Sequence, residues 1–434
     1  MNPTQVFSVL IFIFVFILIG IEAIHRTYAS LLGAFGMVLI GAVSPVELFG
    51  FIEIEILGFI IGMFLLVEGA ERSGIFQWMA AKIMMSSWSI TSFASILLSF
   101  TMILAIFVSN IGAMLVTAAI TITMAKSLRI QPQTILIFQA VLINIGGMML
   151  WMGSIPNIII AIEGELSFAS FLMNIAPLGV ILYLVTLWIF IKTFESELTK
   201  EPATEIREME FKEWMKRSIE LSGWKASGTD AGQKLAILVI AGTVAGFIIY
   251  DRLNLTPAFV ALSGGCVMLM MQGKEPTHIL SDIDWSNILF LAGLFIIING
   301  IEKIGLIEII ASGLSQIVGG TPSSASIVIM WLSGLASSLI DNIPLSTSLA
   351  PIVKGMLVGD SGQALWWGLV IGANLGGNMT PIGSPSTVIA IGVSEQEGYP
   401  ISFHRFLKIG VGLTILDFLI SMVYLYVRYS LLLP

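Results

Sequence analysis

The sequence predicts an all-α polytopic membrane protein built from two inverted repeats. Hydrophobic residues make up 56% of the 434 positions and charged residues 11%, whereas soluble domains carry roughly 25% charged residues. Two further observations support this fold class: one segment occurs twice, and polar breaks interrupt the apolar stretches at matching places in both halves. A bilayer-embedded chain with an internal duplication accounts for all three observations.

The duplicated segment begins at Asn144 and again at Asn374. NIGGMMLWMGSIPNII and NLGGNMTPIGSPSTVI are identical at seven of sixteen positions when aligned at an offset of 230. Three more matches keep the same order in both halves: GMFLLVEGAERSG with GLFIIINGIEKIG, VSNIGAML with IDNIPLST, and LSFASFL with ISFHRFL. An internal repeat predicts two copies of one structural unit. We therefore predict a first repeat at 1–193, a charged linker at 194–232 and a second repeat at 233–434.

The first half contains six apolar stretches, and the fourth is unusual. It is longer than one span of about 20 residues but too short for two, and its middle reads VSNIGA, so we predict a re-entrant hairpin. Each half then has five spans and one hairpin, which makes ten spans and two hairpins. Because five is an odd number, the second repeat must be inverted relative to the first. The six stretches are 6–24, 28–44, 53–70, 91–124, 134–161 and 168–193.

The distribution of Lys and Arg orients this topology. With the linker in the cytoplasm, 16 of the 20 Lys and Arg residues fall inside and 4 outside, and 10 against 4 remain without the linker. Cytoplasmic loops carry the excess of positive charge in membrane proteins. We therefore predict a multi-pass protein of the cell (cytoplasmic) membrane, with both termini outside and residues 194–232 in the cytoplasm.

Four breaks interrupt the apolar stretches: 109–110 and 341–344 at the hairpin tips, and 146–157 and 376–387 within two spans. Non-helical backbone survives at membrane depth only where protein buries it or where it lines a wet cavity. Helix N-termini there offer N–H groups to a solute, and carbonyl and Asn oxygens can hold a cation such as Na⁺. The alternative for the Gly-Gly pairs is close helix packing. The predicted substrate-binding residues are Ser109, Asn110, Asn144, Gly146, Gly147, Ser154, Asn157, Asn342, Asn374, Gly376, Gly377, Asn378, Thr380, Ser384 and Thr387, with Na⁺ near Asn110 and Asn342.

Asp341 and Asp417 are predicted ion-coupling residues, because a charge within a membrane segment is expensive and marks function by default. Asp341 aligns with Ser109 in the other repeat, so only one hairpin tip carries a carboxylate. An asymmetric carboxylate suits a single coupling proton or cation. Asp341 also has the position of a helix N-cap shortly before Pro344, and Asp417 has as its alternative a polar partner on a neighbouring helix.

No cofactor and no resident metal are expected. Cys266 is the only cysteine and the three histidines lie far apart near span ends, which excludes a disulfide framework and a multi-thiol metal site. An intramembrane enzyme is not expected either, since no histidine falls inside a span and the two aspartates lack the flanking patterns. Glu71 and Glu302, each followed by a basic residue, predict structural ion pairs.

A family resemblance rests on the second copy of the motif. ANLGGNMTPIGSPSTVIAIGVSEQEGYPISFHRFLKIG resembles the matching region of the P protein, and the whole chain is similar to the arsenite permease and NhaD Na⁺/H⁺ antiporter branch of the ion transporter (citrate transporter-like) superfamily. The resemblance implies inverted repeats with re-entrant hairpins and broken helices, elevator-type motion and, in many members, a homodimer. The dicarboxylate branch has Ser-Asn-Thr at both hairpin tips, whereas this chain has Ser-Asn-Ile and Asp-Asn-Ile, which disfavours citrate or succinate.

The repeat, the breaks and the resemblance together predict a secondary active transporter rather than a channel. Proton- or Na⁺-coupled efflux of arsenite or antimonite is the favoured function, with the solute recognised as a neutral hydroxide through Asn and Ser. The alternatives are a Na⁺/H⁺ antiporter using Asp341 and a Na⁺- or H⁺-coupled citrate or dicarboxylate transporter. The expected partners are a small inorganic ion or solute, H⁺ or Na⁺, and the lipid bilayer, with no nucleic acid.

Overall fold

The computed structural model describes residues 3–198 and 230–432, and all regular secondary structure within this part is helical. The predicted linker therefore lies outside the described residues, except for its ends, which continue the flanking helices. The shorter stretches outside the description are 22, 77, 80–81, 83–86, 88, 129, 272–279, 282, 319–320 and 357–361.

The described part of the first half contains nine α-helices. A 3₁₀ turn, Leu48–Phe51, precedes the third, and a second one, Trp151–Gly153, separates the sixth from the seventh. The helices are α1 (Pro3–Gly20), α2 (Arg26–Leu39), α3 (Ile54–Arg72), α4 (Ile90–Phe107), α5 (Asn110–Leu128), α6 (Gln133–Met149), α7 (Ile155–Glu163), α8 (Phe168–Asn174) and α9 (Ala176–Leu198).

The described part of the second half also contains nine α-helices, which follow nearly the same order. The last one continues into a short π-helical turn, Val427–Leu432. The helices are α10 (Asp230–Ile249), α11 (Pro257–Met271), α12 (Trp285–Lys303), α13 (Leu306–Val318), α14 (Pro322–Ser337), α15 (Asn342–Gly355), α16 (Gly362–Gly376), α17 (Pro385–Gln396) and α18 (Phe403–Tyr426).

Local sequence sets the helix ends at equivalent places in the two halves. The side chains of Ser89 and Thr321 cap the N-termini of α4 and α14 by accepting from the N–H three residues later, which satisfies a donor that the helix leaves unpaired. Gly74 and Gly305 follow the ends of α3 and α12, both with φ of 75°. This left-handed conformation favours glycine and stops a helix.

Two equivalent helix pairs join the halves, and each contains one helix from each half: α3 packs against α11, and α2 packs against α12. A Cβ atom added at Gly62 would overlap the backbone of Ala261, and one added at Gly293 would lie 2.8 Å from the carbonyl carbon of Ser30. Gly62 aligns with Gly293 and Ser30 aligns with Ala261, both at an offset of 231. The two close approaches are therefore the same contact with the partners exchanged.

The equivalent helices α3 and α12 run in opposite directions. At the start of α3, the Phe51 carbonyl accepts a hydrogen bond of 3.2 Å from the side chain of Asn299, near the end of α12. Near the other end of α3, Leu65 packs with Ile288 at the start of α12. Helices that carry the same sequence pattern are thus antiparallel to each other.

A second group of helices also forms equivalent contacts in the two halves, some within each half and some between the halves. Within each half, α4 lies against α6 and α14 against α16; between the halves, α5 packs against α17 and α15 against α7. Ion pairs join the ends of the exchanged helices: Lys126 of α5 pairs with Glu397 after α17, and Lys354 of α15 pairs with Glu163 of α7 at 3.0 Å.

Six of the described helices are long and apolar enough to cross a membrane, and the bent pair α7–α8, with an angle of 113°, would make a seventh. They are α1, α4, α9, α10, α12 and α18. Five of the six coincide with predicted spans, but α4 belongs to a predicted hairpin. Its 18 residues span about 27 Å at 1.5 Å per residue, so helix length does not separate a hairpin arm from a span. Ten spans and two hairpins therefore stay a prediction.

Candidate functional site

Non-helical backbone occurs at both predicted hairpin tips and within both predicted breaks, although it covers only part of each predicted range. Val108 and Ser109 separate α4 from α5, and residues 338–341 separate α14 from α15. The helix broken in the first half stops at Met149 and resumes at Ile155, and the one in the second half stops at Gly376 and resumes at Pro385. The sequence thus located all four interruptions to within a few residues.

A cavity of about 370 Å³ lies beside these interruptions. Four of the predicted substrate-binding residues line it: Ser109, Asn110, Ser154 and Asn342. The rest of its wall comes chiefly from apolar residues of α3, of α5 and of 152–158, and from charged and polar residues that the sequence analysis did not assign to a site. The latter are Arg26, Glu68, Glu71, Asp284 and Asn287.

Three of the four predicted residues present atoms that lack a hydrogen-bond partner within the described structure. These atoms are Asn110 Oδ1, Ser154 Oγ and Asn342 Nδ2, and all three are buried. A buried polar atom without a partner costs roughly 1–3 kcal/mol, so natural proteins retain such atoms where a ligand or an ion satisfies them. One amide acceptor, one hydroxyl and one amide donor therefore lie buried and unpaired in residues that line the cavity.

Asn144 is the centre of a buried hydrogen-bond network behind this wall. Its Oδ1 accepts from Asn110 Nδ2 at 2.9 Å, while its Nδ2 donates to Asn378 Oδ1 at 2.7 Å and to Ser384 Oγ at 2.9 Å. Asn144 itself is fully buried. It therefore ties the first predicted hairpin tip to the second broken helix and is not among the residues that line the cavity.

Asn157 and Asn374 form a second buried pair. Asn374 Nδ2 donates to Asn157 Oδ1 at 2.7 Å, and Asn157 Nδ2 donates to the carbonyls of Gly147 and Leu150 at 2.8 and 2.9 Å. Those two carbonyls belong to the last turn of α6 and the residue after it, so Asn157 satisfies acceptors that the broken helix leaves unpaired. Both side chains support the break rather than the cavity wall.

The remaining predicted residues also hold the breaks in place. Ser384 and Thr387 cap each other's backbone N–H groups at the start of α17, which is the capping-box arrangement. Thr380 donates to the Ser338 carbonyl at 2.6 Å and so joins the second break to the second hairpin tip.

The Gly-Gly pairs allow close packing of helices, which was the alternative to a role in substrate binding. A Cβ atom at Gly146 would lie 2.6 Å from the carbonyl oxygen of Met102 on α4, and one at Gly376 would overlap Gly334 on α14. Only glycine therefore allows these helix backbones to approach so closely. Gly147 and Gly377 lie similarly close to the non-helical residues Gly153 and Gly383.

Asp341 has a partner that the sequence did not reveal. Its carboxylate caps α15 by accepting from Ile343 N–H at 2.9 Å, as predicted, and also pairs with Arg26 Nη1 at 3.1 Å. The other guanidinium nitrogen of Arg26 donates to Asn287 Oδ1 at 2.6 Å, and the guanidinium lies 5.4 Å from the centre of the Phe290 ring. One signal was available: Arg26 aligns with Pro257, so this charge, like that of Asp341, is not repeated.

The acidic residues near the cavity form ion pairs other than the expected ones. Arg72 pairs with Glu68 at 2.6 Å and Lys303 pairs with Glu47 at 2.5 Å, not with Glu71 and Glu302. The reason is helix geometry, because adjacent residues point away from each other while residues four apart are neighbours. Glu71 remains on the cavity wall, and no ion pair of the described residues includes it.

Asp417 lies apart from the cavity. Its side chain is fully buried in α18, and neither carboxylate oxygen has a hydrogen-bond partner in the described part of the chain. The polar partner weighed for Asp417 is thus not found there. The adjacent Phe418 packs against Gly334 of α14.

Two carboxyl groups that precede helical segments, and lie outside the described helices, have perturbed acidity. Burial, and after it the negative charge of Glu163, raises the pKa of Glu53, which precedes α3. The hydrogen bond from Lys303 lowers the pKa of the exposed Glu47.

An all-helical chain with several apolar spans, paired broken helices and a polar cavity between them defines a multi-pass membrane transporter. The sequence model of the CitMHS family, described as "Citrate transporter", matches residues 15–372. The chain therefore belongs to this family, and the predicted place in the ion transporter superfamily is confirmed. The arsenite permease and NhaD branch stays a prediction.

Known relatives cover nearly the whole chain. An uncharacterized transporter of Mycobacterium tuberculosis is 28% identical over 99% of this chain and 100% of its own length. An uncharacterized transporter of Synechocystis is 27% identical over 94% of both chains. The human P protein is 26% identical over 96% of this chain and 59% of its own length.

A solved structure shares the fold. The YdaH transporter of Alcanivorax borkumensis superimposes with a TM-score of 0.62 at 14% identity, covering 88% of this chain and 87% of that one. The family and the relatives together indicate a transporter, and the solved structure shows the shared fold.

Proposed function

We propose that the protein is a secondary active transporter that exports a small inorganic hydroxide, arsenite or antimonite, in exchange for protons or Na⁺. The charge of the cavity carries this proposal. The one arginine among the described residues of its wall, Arg26, is already paired with Asp341, whereas the wall adds the carboxylates of Glu71 and Asp284 to the Arg72-bound Glu68. Such a wall repels a citrate-like polyanion and tolerates a neutral solute or a cation.

The unpartnered wall atoms support a hydroxylated solute. Asn110 Oδ1 can accept, Asn342 Nδ2 can donate, and Ser154 Oγ can do either. A metalloid hydroxide offers several O–H groups, each of which donates and accepts. Two amides and a hydroxyl on converging elements are thus complementary to it, and no thiol is needed.

The proposed architecture is two inverted repeats, 1–193 and 233–434, joined by a cytoplasmic linker at 194–232. The opposite directions of α3 and α12 and the exchanged packing of α2, α3, α11 and α12 support it. Five spans and one re-entrant hairpin per repeat, with both termini outside, agree with the asymmetric distribution of Lys and Arg. Asp341 is the proposed coupling carboxylate, with Asp417 as a second.

Na⁺/H⁺ antiport is the second candidate, and one observation favours it specifically. Glu71, Asp284 and the Glu68–Arg72 pair line one cavity, and carboxylates attract and coordinate cations better than neutral solutes. A Na⁺- or H⁺-coupled citrate or dicarboxylate transporter is the third, and the same acidic wall opposes it.

Transport into proteoliposomes distinguishes the three. With an imposed pH gradient of either direction, the first proposal expects accumulation of labelled arsenite, the second expects Na⁺-evoked proton movement without arsenite, and the third expects labelled citrate. Asn110→Ala should abolish arsenite accumulation, whereas Thr123→Ala, an exposed residue of α5 that bonds only its own helix, should not. Arsenite at background level under all gradients, with citrate accumulated, would overturn the proposal.

A further inference from the structure

The described helices pack as two bodies. The first body consists of α1–α3 and α10–α12, and the second of α4–α9 and α14–α18, with α13 between them; most of the packing lies within each body. The cavity lies between the bodies, because α3 forms one wall while residues 109–115 and 152–158 form the opposite one. A solute in this cavity therefore contacts both bodies.

The boundary between the bodies is closed on one side and open on the other. Helix α12 packs against α15, and the pair equivalent to it by the repeat is α3 and α5. In the part of the chain that the structure describes, the cavity separates α3 from α5, with Phe64 and Leu115 on facing walls. The two equivalent helix pairs thus differ in the same structure: α12 contacts α15, whereas the cavity lies between α3 and α5.

An ion pair crosses the closed boundary. Arg26 begins α2 in the first body, and Asp341 forms the hairpin tip before α15 in the second. The positions equivalent to them are Pro257 and Ser109, which carry no charge. The pair therefore can exist at only one of the two boundaries.

We propose that Arg26 is a built-in counter-cation of Asp341, and that this ion pair locks the bodies in the state in which the cavity opens between α3 and α5. The coupling cation, H⁺ or Na⁺, displaces Arg26 from Asp341 and releases the lock. The charged groups facing the pair are Glu68 and Glu71 of α3 and Asp284 at the start of α12, all of which line the cavity. This inference rests on the proposed coupled transport but not on the identity of the solute.

The guanidinium of Arg26, once displaced from Asp341, keeps a hydrogen-bond partner in the first body. Asn287 Oδ1 already accepts from Arg26, and Asp284 Oδ2 lies 2.5 Å from Asn287 Nδ2. A cation that occupies Asp341 thus leaves Arg26 bonded within the first body, so the two bodies separate without a buried unpaired charge. In the opposite state, α3 and α5 would meet and α12 and α15 would separate. No charged pair would form at the closed boundary of that state, since Pro257 and Ser109 cannot provide one.

The test is the accessibility of the cavity, measured by thiol labelling. The native Cys266 is replaced by Ala, and Leu115→Cys, which lies on the cavity wall, is the reporter for a membrane-impermeant maleimide in oriented vesicles. Arg26→Gln and Asp341→Asn should each slow labelling from the open side by up to about fivefold, since a partly exposed pair of about 1 kcal/mol changes the equilibrium between the two states by that factor. The double reversal Arg26→Asp with Asp341→Arg should restore the parent rate.

A matched control removes an ion pair that does not cross the boundary. Lys126→Gln breaks the pair with Glu397, which joins α5 to the end of α17 within the second body, and should leave the labelling rate unchanged. Lowering the pH or adding Na⁺ to the reporter protein should reproduce the effect of Arg26→Gln and add nothing to it. Parent-like labelling in both single variants would overturn the lock, even if coupled transport of arsenite is established. Conversely, slowed labelling supports the lock even if the transported solute proves to be another.

Discussion

Replacement of Asn144 by Ala tests whether the buried amide network holds the broken helices together. The substitution removes the bonds of Asn144 to Asn110 Nδ2, Asn378 Oδ1 and Ser384 Oγ, at 2.9, 2.7 and 2.9 Å, although Ser384 Oγ keeps its contacts with Ser386 and Thr387. Side-chain hydrogen bonds within membrane proteins contribute about 0.6 kcal/mol each on average and at most about 1.7. Three of them give about 2 kcal/mol, and up to about 5 if each reaches the maximum.

The free energy of unfolding in mixed detergent micelles measures this loss. Asn299→Ala is the matched control, because Asn299 is only partly buried and its second bond goes to its own helix, at Phe295. We expect a loss of about 0.6 kcal/mol for the control and a loss at least three times larger for Asn144→Ala. Equal losses for the two variants would refute the view that the network is structural. A double-mutant cycle of Asn144 with Asn378 then isolates the coupling between the two halves.

Three further variants follow from the described contacts. Gly62→Ala should separate α3 from α11 and cost about 1–3 kcal/mol by overpacking, whereas Gly242→Ala, with open space around it, should be neutral or slightly stabilising; gel filtration and unfolding compare them. Burial raises the pKa of Glu53, so its stabilising contribution is complete below the unfolded pKa and is lost as the pH rises through the folded pKa. Glu53→Gln should therefore raise the melting temperature at pH 8 and not at pH 3.5, and the opposite order would contradict the assignment. Ser154→Ala should weaken solute binding about tenfold in a thermal-shift titration without lowering the stability of the solute-free protein, because its Oγ has no partner among the described residues.

The sequence predicted the interruptions better than the roles of the residues beside them. Apolar composition and a repeat located the breaks, because Gly, Pro and Asn cluster at matching places in the two halves. Which polar side chains face a cavity is a tertiary property, however. Asn144 and Asn110 belong to equally good motifs, yet only Asn110 lines the cavity. The sequence pattern contains no information on which side of a broken helix faces the cavity and which side is buried by neighbouring helices.

The charged residues show the same limit. Arg26 lies 315 positions from Asp341, and no local pattern connects residues so far apart; only the absence of both charges from the other repeat marked them. Arg72 was assigned to its neighbour Glu71, although the helix places it beside Glu68. Charges on one helix can be paired from the sequence by their spacing, but pairs between helices require the fold.

The exchanged packing of α3 and α11 also determines when this chain can fold during synthesis. Gly62 meets Ala261, so α3 must wait for roughly 200 residues to be made before its partner exists. At 5–20 residues per second this wait is about 10–40 s. During that time the first half lies in the bilayer with its small-residue surfaces uncovered, open to pairing with another nascent chain. Two separately synthesised halves should accordingly find each other in the membrane, because each carries the surface that the other lacks.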